Sequence, residues 1–210
     1  MPKLTGLFDD FTDLDLISVE KIREWLHWKG NPQILENRLG NRILYPYGVP
    51  VTPQDLEFDL ALLREVVKFQ PQKYFDVNSQ KIVIPARFLK YVPDLPRLAR
   101  VFIDGLEPEG VISLLVKSET EEKVAGTLIR PQILDEAGEV RFRLGEQKYE
   151  IGIGSVMSLP AFSEKVEIGF VSESATLQGK KDINLSVSGG SLGVIIDTRM
   201  AKEGNGSAVH

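Results

Sequence analysis

This sequence predicts an α+β fold, and three observations carry that expectation. Apolar residues recur at helical spacing through the first half, and from about Gly110 they fall in short strand-like runs. The composition shifts near residues 105–110, where a boundary is expected. A chain of 210 residues, 42% hydrophobic, can bury a substantial core as one large domain or two small ones. The expected organisation is a mostly helical region over 1–105, a β domain over 106–199 built as an antiparallel sandwich or barrel, and a loose small-polar tail over 200–210.

The elements follow in order. Ser18 is placed to cap a helix carrying Ile22, Trp25 and Leu26 on one face. Asn31-Pro32 opens a second helix, with asparagine as cap and proline in the first turn. It carries Ile34, Leu35 and Leu39, and Gly40 is expected to stop it. Thr52-Pro53-Gln54-Asp55 is the clearest start. Thr52 can accept a backbone hydrogen bond, Pro53 presets φ, and Asp55 favours the positive helix end. Leu56, Leu60, Leu63 and Val67 follow at helical spacing, and Pro71 ends the helix. Lys81 to Pro85 reads as a short strand, and Asp94-Leu95-Pro96 opens a helix with Leu98, Val101 and Phe102 on one face. Strand-like runs then cover 111–116, 124–130, 140–144, 149–153, 166–170, 183–187 and 192–196, separated by Asp, Gly, Pro and Ser clusters. The last is entered through Ser188-Gly189-Gly190-Ser191 and closes on Asp197-Thr198-Arg199, the pattern of a buried strand behind a tight glycine turn.

Composition bounds the function. A net charge of −5 argues against a general nucleic-acid binder, because phosphate binding needs a basic face. With no cysteine, this chain can form no disulfide, thiolate metal site or cysteine nucleophile. No apolar stretch approaches the ~18 residues of a membrane span. No basic segment followed by an apolar one opens the sequence, so no secretory signal and a cytoplasmic location are expected.

Several residues invite a chemical reading, and each has a simpler one. His27, between Trp25 and Trp28, and the terminal His210 give no metal spacing. Glu119, Glu121 and Glu122 could do acid/base work in a cleft, but a solvated turn between strands is the commoner use. Asp9, Asp10, Asp13 and Asp15 alternate with Phe8, Phe11, Leu14 and Leu16, an amphipathic arm without the glycine and closing glutamate of a calcium loop. Gly152-Ile153-Gly154-Ser155 lacks the lysine and the following helix of a phosphate loop. No nucleophile turn of the Gly-x-Ser-x-Gly type is present. No catalytic residue, cofactor or metal site is therefore expected, and a buried pairing of Asp197 with Arg199 is preferred to a catalytic role.

The closing Gly189-Gly190-Ser191-Leu192-Gly193-Val194-Ile195-Ile196-Asp197-Thr198-Arg199 resembles the "GGxLGLVIDARGRP" ending of the glutamate mutase L family, with Met200-Ala201 in place of the usual continuation. Asp104-Gly105-Leu106-Glu107-Pro108-Glu109-Gly110-Val111 resembles that family's "DALQPxGV" segment, which joins an actin/Hsp70-like ATPase domain to a C-terminal β domain. Pro50-Val51-Thr52-Pro53-Gln54-Asp55-Leu56, followed by Leu60-Ala61-Leu62-Leu63-Arg64-Glu65, resembles its "P-x-T-x-E-E-L" helix. The three occur in family order and span roughly residues 19–199. The resemblance implies that the helical region is a remnant of the second half of an actin-like domain. One departure stands out. Where the family carries a glycine-rich "LIIGxGGVLxHAP" turn, this chain has Ile84, Ala86 and Arg87 in place of glycines, and Pro85 offers no amide hydrogen. The resemblance thus implies a pseudo-ATPase. It is either part of a longer chain or a relative that kept the β domain, and loss of the glycines favours an already inactive relative.

The leading expectation is a non-catalytic accessory or scaffold protein that binds a protein partner of unknown identity, through its β domain or an exposed sheet edge. By resemblance, the family is associated with cobalamin-dependent glutamate mutase as a maintenance or assembly factor. The alternative is a small-ligand or anion site, enzymatic or not, in a cleft near the former phosphate turn. Arg87 and Lys90 would be its anion contacts, with Tyr91 and Asp94 beside them. Homo-oligomerisation through the β domain is a third expectation.

Overall fold

The computed structural model describes residues 7–8, 11, 14–160 and 165–200. These fall into two compact units. A helical unit takes the described residues through Phe75, with Ile84–Leu106 and Lys117–Glu119; a β unit takes Asp76–Val83, Glu107–Val116 and Thr120 onward. The architecture is α+β.

In the helical unit, side-chain caps set the starts of the longer helices. Helix α1 (Val19–Glu24) is short, and the Ser18 hydroxyl before it donates to Glu20 instead of capping a backbone amide. Trp25 and Leu26 therefore lie beyond α1, not on its face as the spacing predicts. Helix α2 (Pro32–Leu44) starts as expected, with Asn31 Oδ1 accepting from the Gln33 amide at 3.0 Å. Helix α3 (Pro53–Phe69) opens with a reciprocal box: Thr52 Oγ1 accepts from the Asp55 amide at 3.1 Å, and the Thr52 amide donates to Asp55 Oδ2 at 3.0 Å. Asp94 Oδ1 accepts from the Arg97 amide at 3.0 Å ahead of helix α4 (Leu95–Leu106).

Gly40 does not stop α2, which runs on to Leu44. Long-range pairing explains the extra turn. Arg42 Nε and Nη2 donate to the two oxygens of Asp59 on α3 at 2.7 and 2.8 Å, and Arg38 pairs with Asp55 at 2.7 Å. Such clamps fix the position of the last turn of α2 although glycine inside a helix costs about 1 kcal/mol. Burial raises the Asp59 carboxyl to about 6 from its ordinary 3.8, with Arg42 only partly compensating. Helices α3 and α4 pack together, and Leu62, Leu63, Val66 and Val67 of α3 and Leu98, Val101 and Phe102 of α4 are all buried. A side chain at Gly105 would stand 2.8 Å from the Arg64 carbonyl oxygen, so the absence of one sets this approach.

The strands are β1 (Phe75–Asp76), β2 (Lys81–Pro85), β3 (Gly110–Lys117), β4 (Glu122–Arg130), β5 (Gln132–Ile133), β6 (Glu139–Leu144), β7 (Gln147–Gly152), β8 (Val156–Leu159), β9 (Lys165–Val171), β10 (Ala175–Thr176), β11 (Asp182–Ser188) and β12 (Val194–Asp197). They form a six-stranded sheet ordered β1-β2-β3-β4-β12-β8, a four-stranded sheet β11-β9-β6-β7 and a small β10-β5 pair. In the four-stranded sheet every pairing is antiparallel, with Phe142 opposite Phe170 and Tyr149. Alternation sends Val140, Phe142, Ile168, Phe170, Leu185 and Val187 to the inner face. There they share one core with Ile129 of β4, Leu159 of β8 and Val194 and Ile196 of β12.

The expectation of a wholly antiparallel β domain is corrected at one place. Strand β12 runs parallel to β4, with Val194 opposite Thr127 and Ile196 opposite Ile129, and antiparallel to β8. A parallel pair needs a long connection, and here the intervening chain contributes the whole of β5 to β11. Leu192 belongs to a 3-10 turn, Gly190–Leu192, and not to the strand. The glycines of that turn have a geometric reason. Gly190 has φ +56° and Gly193 φ +73°. A side chain at Gly190 would stand 2.5 Å from the Ala125 backbone, and one at Gly193 would stand 2.0 Å from the Leu159 carbonyl oxygen. The motif lets the main chain wedge between β4 and β8.

Candidate functional site

The segment that carries Arg87 and Lys90 is a single 3-10 turn, Ala86–Lys90, in the helical unit. Ile84 ahead of it is fully buried. Arg87 is half-buried, its guanidinium 5.1 Å from the centroid of the Phe88 ring, while Lys90 is exposed. Tyr91 is half-buried and Asp94 is exposed, occupied as the cap of α4 and 3.9 Å from Arg97. The structure thus brings Arg87 and Lys90 onto one turn, and Asp94 is engaged in holding a helix.

The other sequence candidates resolve into structural roles. Trp25 Nε1 donates to Glu65 at 2.6 Å, with the Arg64 guanidinium 5.4 Å from its ring centroid. Trp28 lies under Arg38, and the His27 amide donates to Glu57 at 2.7 Å. Glu119 and Glu121 are exposed in the turn before β4 and Glu122 is exposed at its first position, with Glu121 paired to Lys123 at 2.9 Å. The Gly152–Ser155 stretch is latched by Thr198, whose Oγ1 accepts from the Ser155 amide at 3.1 Å and donates to the Gly152 carbonyl at 2.9 Å. Asp9, Asp10, Asp13 and His210 lie outside the described residues, and Asp15 is exposed. Arg199 holds Asp197 through two nitrogens, at 2.9 and 2.8 Å, and Asp197 is fully buried.

Three features were not anticipated from the sequence. The first is an exposed apolar run that begins in the last turn of α2 and continues beyond it. Ile43, Leu44, Tyr45, Tyr47, Val49 and Val51 all face solvent, Val51 at 90% exposure. The Gly48 amide donates to the Tyr45 carbonyl at 3.0 Å, a turn in which the two tyrosine rings meet edge-on at 6.4 Å. Its sequence signal was present: Pro46 and Pro50 within a β-branched and aromatic stretch that carries no charge. The second is a carboxyl pair on the outer face of the four-stranded sheet. The Glu139–Glu150 hydrogen bond holds Glu150 above and Glu139 below the ordinary glutamate range, with Arg141 beside both. The third is a cavity of about 330 Å³ in the β unit, with Arg130 in its wall.

These features define a two-unit α+β protein with an exposed apolar segment in the helical unit and an open cavity in the β unit. No family model matches the chain, and no curated protein or solved structure matches it either. Among the described residues, no helix is long and apolar enough to cross a membrane.

Proposed function

We propose that this chain is a non-catalytic accessory protein that binds a partner protein, and that the run from Ile43 to Val51 makes the contact. The exposure of that run carries the reading. Contiguous apolar surface of this kind is unfavourable in water and marks interaction sites. Pro46 and Pro50 restrict the segment before docking, so less conformational entropy is lost on binding. The complementary surface is an apolar groove that receives this proline-containing turn.

The resemblance to the glutamate mutase L family supports an accessory role and makes a cobalamin-dependent mutase subunit the first partner to try. Replacement of the turn glycines by Ile84, Ala86 and Arg87 supports a pseudo-ATPase that acts in the cytoplasm without hydrolysing nucleotide.

The test is a combined Tyr45→Ser, Tyr47→Ser and Val49→Ser variant, compared with wild type in quantitative capture from the native lysate. All three side chains are exposed, so the melting temperature is expected to stay unchanged. A stoichiometric partner lost by the variant supports the assignment; an identical set of partners contradicts it. Light scattering on the free chain identifies a second copy as the partner if the same substitutions abolish a dimer.

A further inference from the structure

We propose that the β unit carries a binding site for a small monocarboxylate, with Arg130 as its anchoring cation. The site is the cavity of about 330 Å³ bounded in part by Gln80, Glu109, Arg130, Gln132, Thr176 and Gln178. That volume sits at the lower end of ligand cavities, which run from about 300 to 1,000 Å³. It suits a molecule of amino-acid size.

Arg130 ends β4, one residue past Ile129, which pairs with Ile196 of β12. It is 4% exposed. Its Nη2 donates to the Arg199 carbonyl oxygen at 3.3 Å, and its Nη1 is buried without any hydrogen-bond partner. The natural counter-charge is already taken. One residue past Ile196 on β12 comes Asp197, whose two oxygens are both held by Arg199. Arginine stays protonated, so Arg130 is a buried cation with no carboxylate partner among the described residues. An unpaired buried charge is strongly unfavourable, and an entering anion relieves it.

The rest of the wall selects the class of anion. A guanidinium fork matches a carboxylate in plane. A single cation with the Glu109 carboxylate on the same wall suits one negative charge and disfavours a phosphate dianion. Three glutamine amides and the Thr176 hydroxyl are hydrogen-bonding groups for a polar remainder. Gln80 and Gln178 are both held at positive φ, +50° and +53°, so the wall keeps two non-glycine residues in a backbone region that is normally avoided.

Two-dimensional NMR of the full chain tests this, with acetate, glycine and inorganic phosphate as separate probes. Acetate or glycine is expected to shift the Arg130 side-chain and the Thr176, Leu177 and Gly179 amide resonances saturably. Arg130→Met is expected to weaken that binding about tenfold or more, since the only cation among the described residues of the cavity wall is removed. Because the substitution replaces an unpaired buried charge with an apolar side chain of similar length, the melting temperature of the free chain is expected to hold or rise. Thr176→Val provides a second variant, expected to weaken the same binding several-fold. Absence of saturable shifts with either carboxylate overturns the site. Phosphate binding in preference to both carboxylates overturns the ligand class. A melting temperature lowered by Arg130→Met, with carboxylate affinity unchanged, assigns Arg130 to structure alone and overturns the proposal.

Discussion

The helical unit and the β unit are held by different kinds of contact, and the difference decides where each can be damaged. In the helical unit, caps at Asn31, Thr52 and Asp94 start helices whose apolar faces then pack. Each device acts within a few residues of chain and contributes modestly. In the β unit, the decisive contacts join main chain to main chain across long sequence separations. Gly193 lies against the Leu159 carbonyl and Gly190 against Ala125. Cap losses are graded, whereas a blocked backbone approach displaces a strand.

Gly193→Ala gives the largest expected effect. The position combines φ +73° with a carbonyl oxygen 2.0 Å from the new methyl. A loss of about 4 kcal/mol or outright failure to fold is expected, read by urea unfolding. A small loss would show that β12 can shift away from β8 at low cost and would erase the contrast between the units.

Asp59 gives the next. Its folded pKa of about 6 lies above the ordinary 3.8, so the folded state binds the proton more tightly. The contribution is complete below the unfolded pKa and is lost as pH rises through the folded one. Wild type is expected to lose about 2.5 kcal/mol between pH 4 and 7 relative to the pH profile of Asp59→Asn. Parallel profiles for the two proteins would place the Asp59 pKa near its ordinary value.

Gly105→Ala ranks third. Its methyl meets the Arg64 carbonyl oxygen at 2.8 Å with Val67 close behind, but a helix pair can slide apart. About 2 kcal/mol is expected, measured in the same unfolding assay. Thr52→Ala is the mildest. It removes one half of the box at α3 and is expected to cost about 1 kcal/mol. It also releases Asp55, whose carboxyl is raised by burial but held below its ordinary range by Thr52 hydrogen bonds and Arg38. The Asp55 signal should therefore titrate at higher pH in the variant, checked by NMR.

The same contrast explains what could be read in advance. Thr52-Pro53-Gln54-Asp55 announces α3 because a cap acts on amides two and three residues away. The end of α2 is not legible in the sequence because Gly40 is a local stop signal, while Arg42, past that glycine, pairs with Asp59 seventeen residues away in the chain. The parallel seating of β12 on β4 was illegible for the same reason, since an apolar run says nothing of its neighbours. Strand β8, Val156–Leu159, was missed because four residues carry too little alternation. Arg87 and Lys90 could be named as a pair because they share one turn. Arg130 could not, because its importance comes from Asp197 being already occupied by Arg199.

Hydrogen exchange of the chain alone and in its captured complex tests the central claim most directly. The account predicts protection concentrated in residues 43–51, with the β unit amides unchanged at the sheet edges β7, β8 and β11. Protection at those strand edges, with residues 43–51 exchanging as in the free chain, would contradict it.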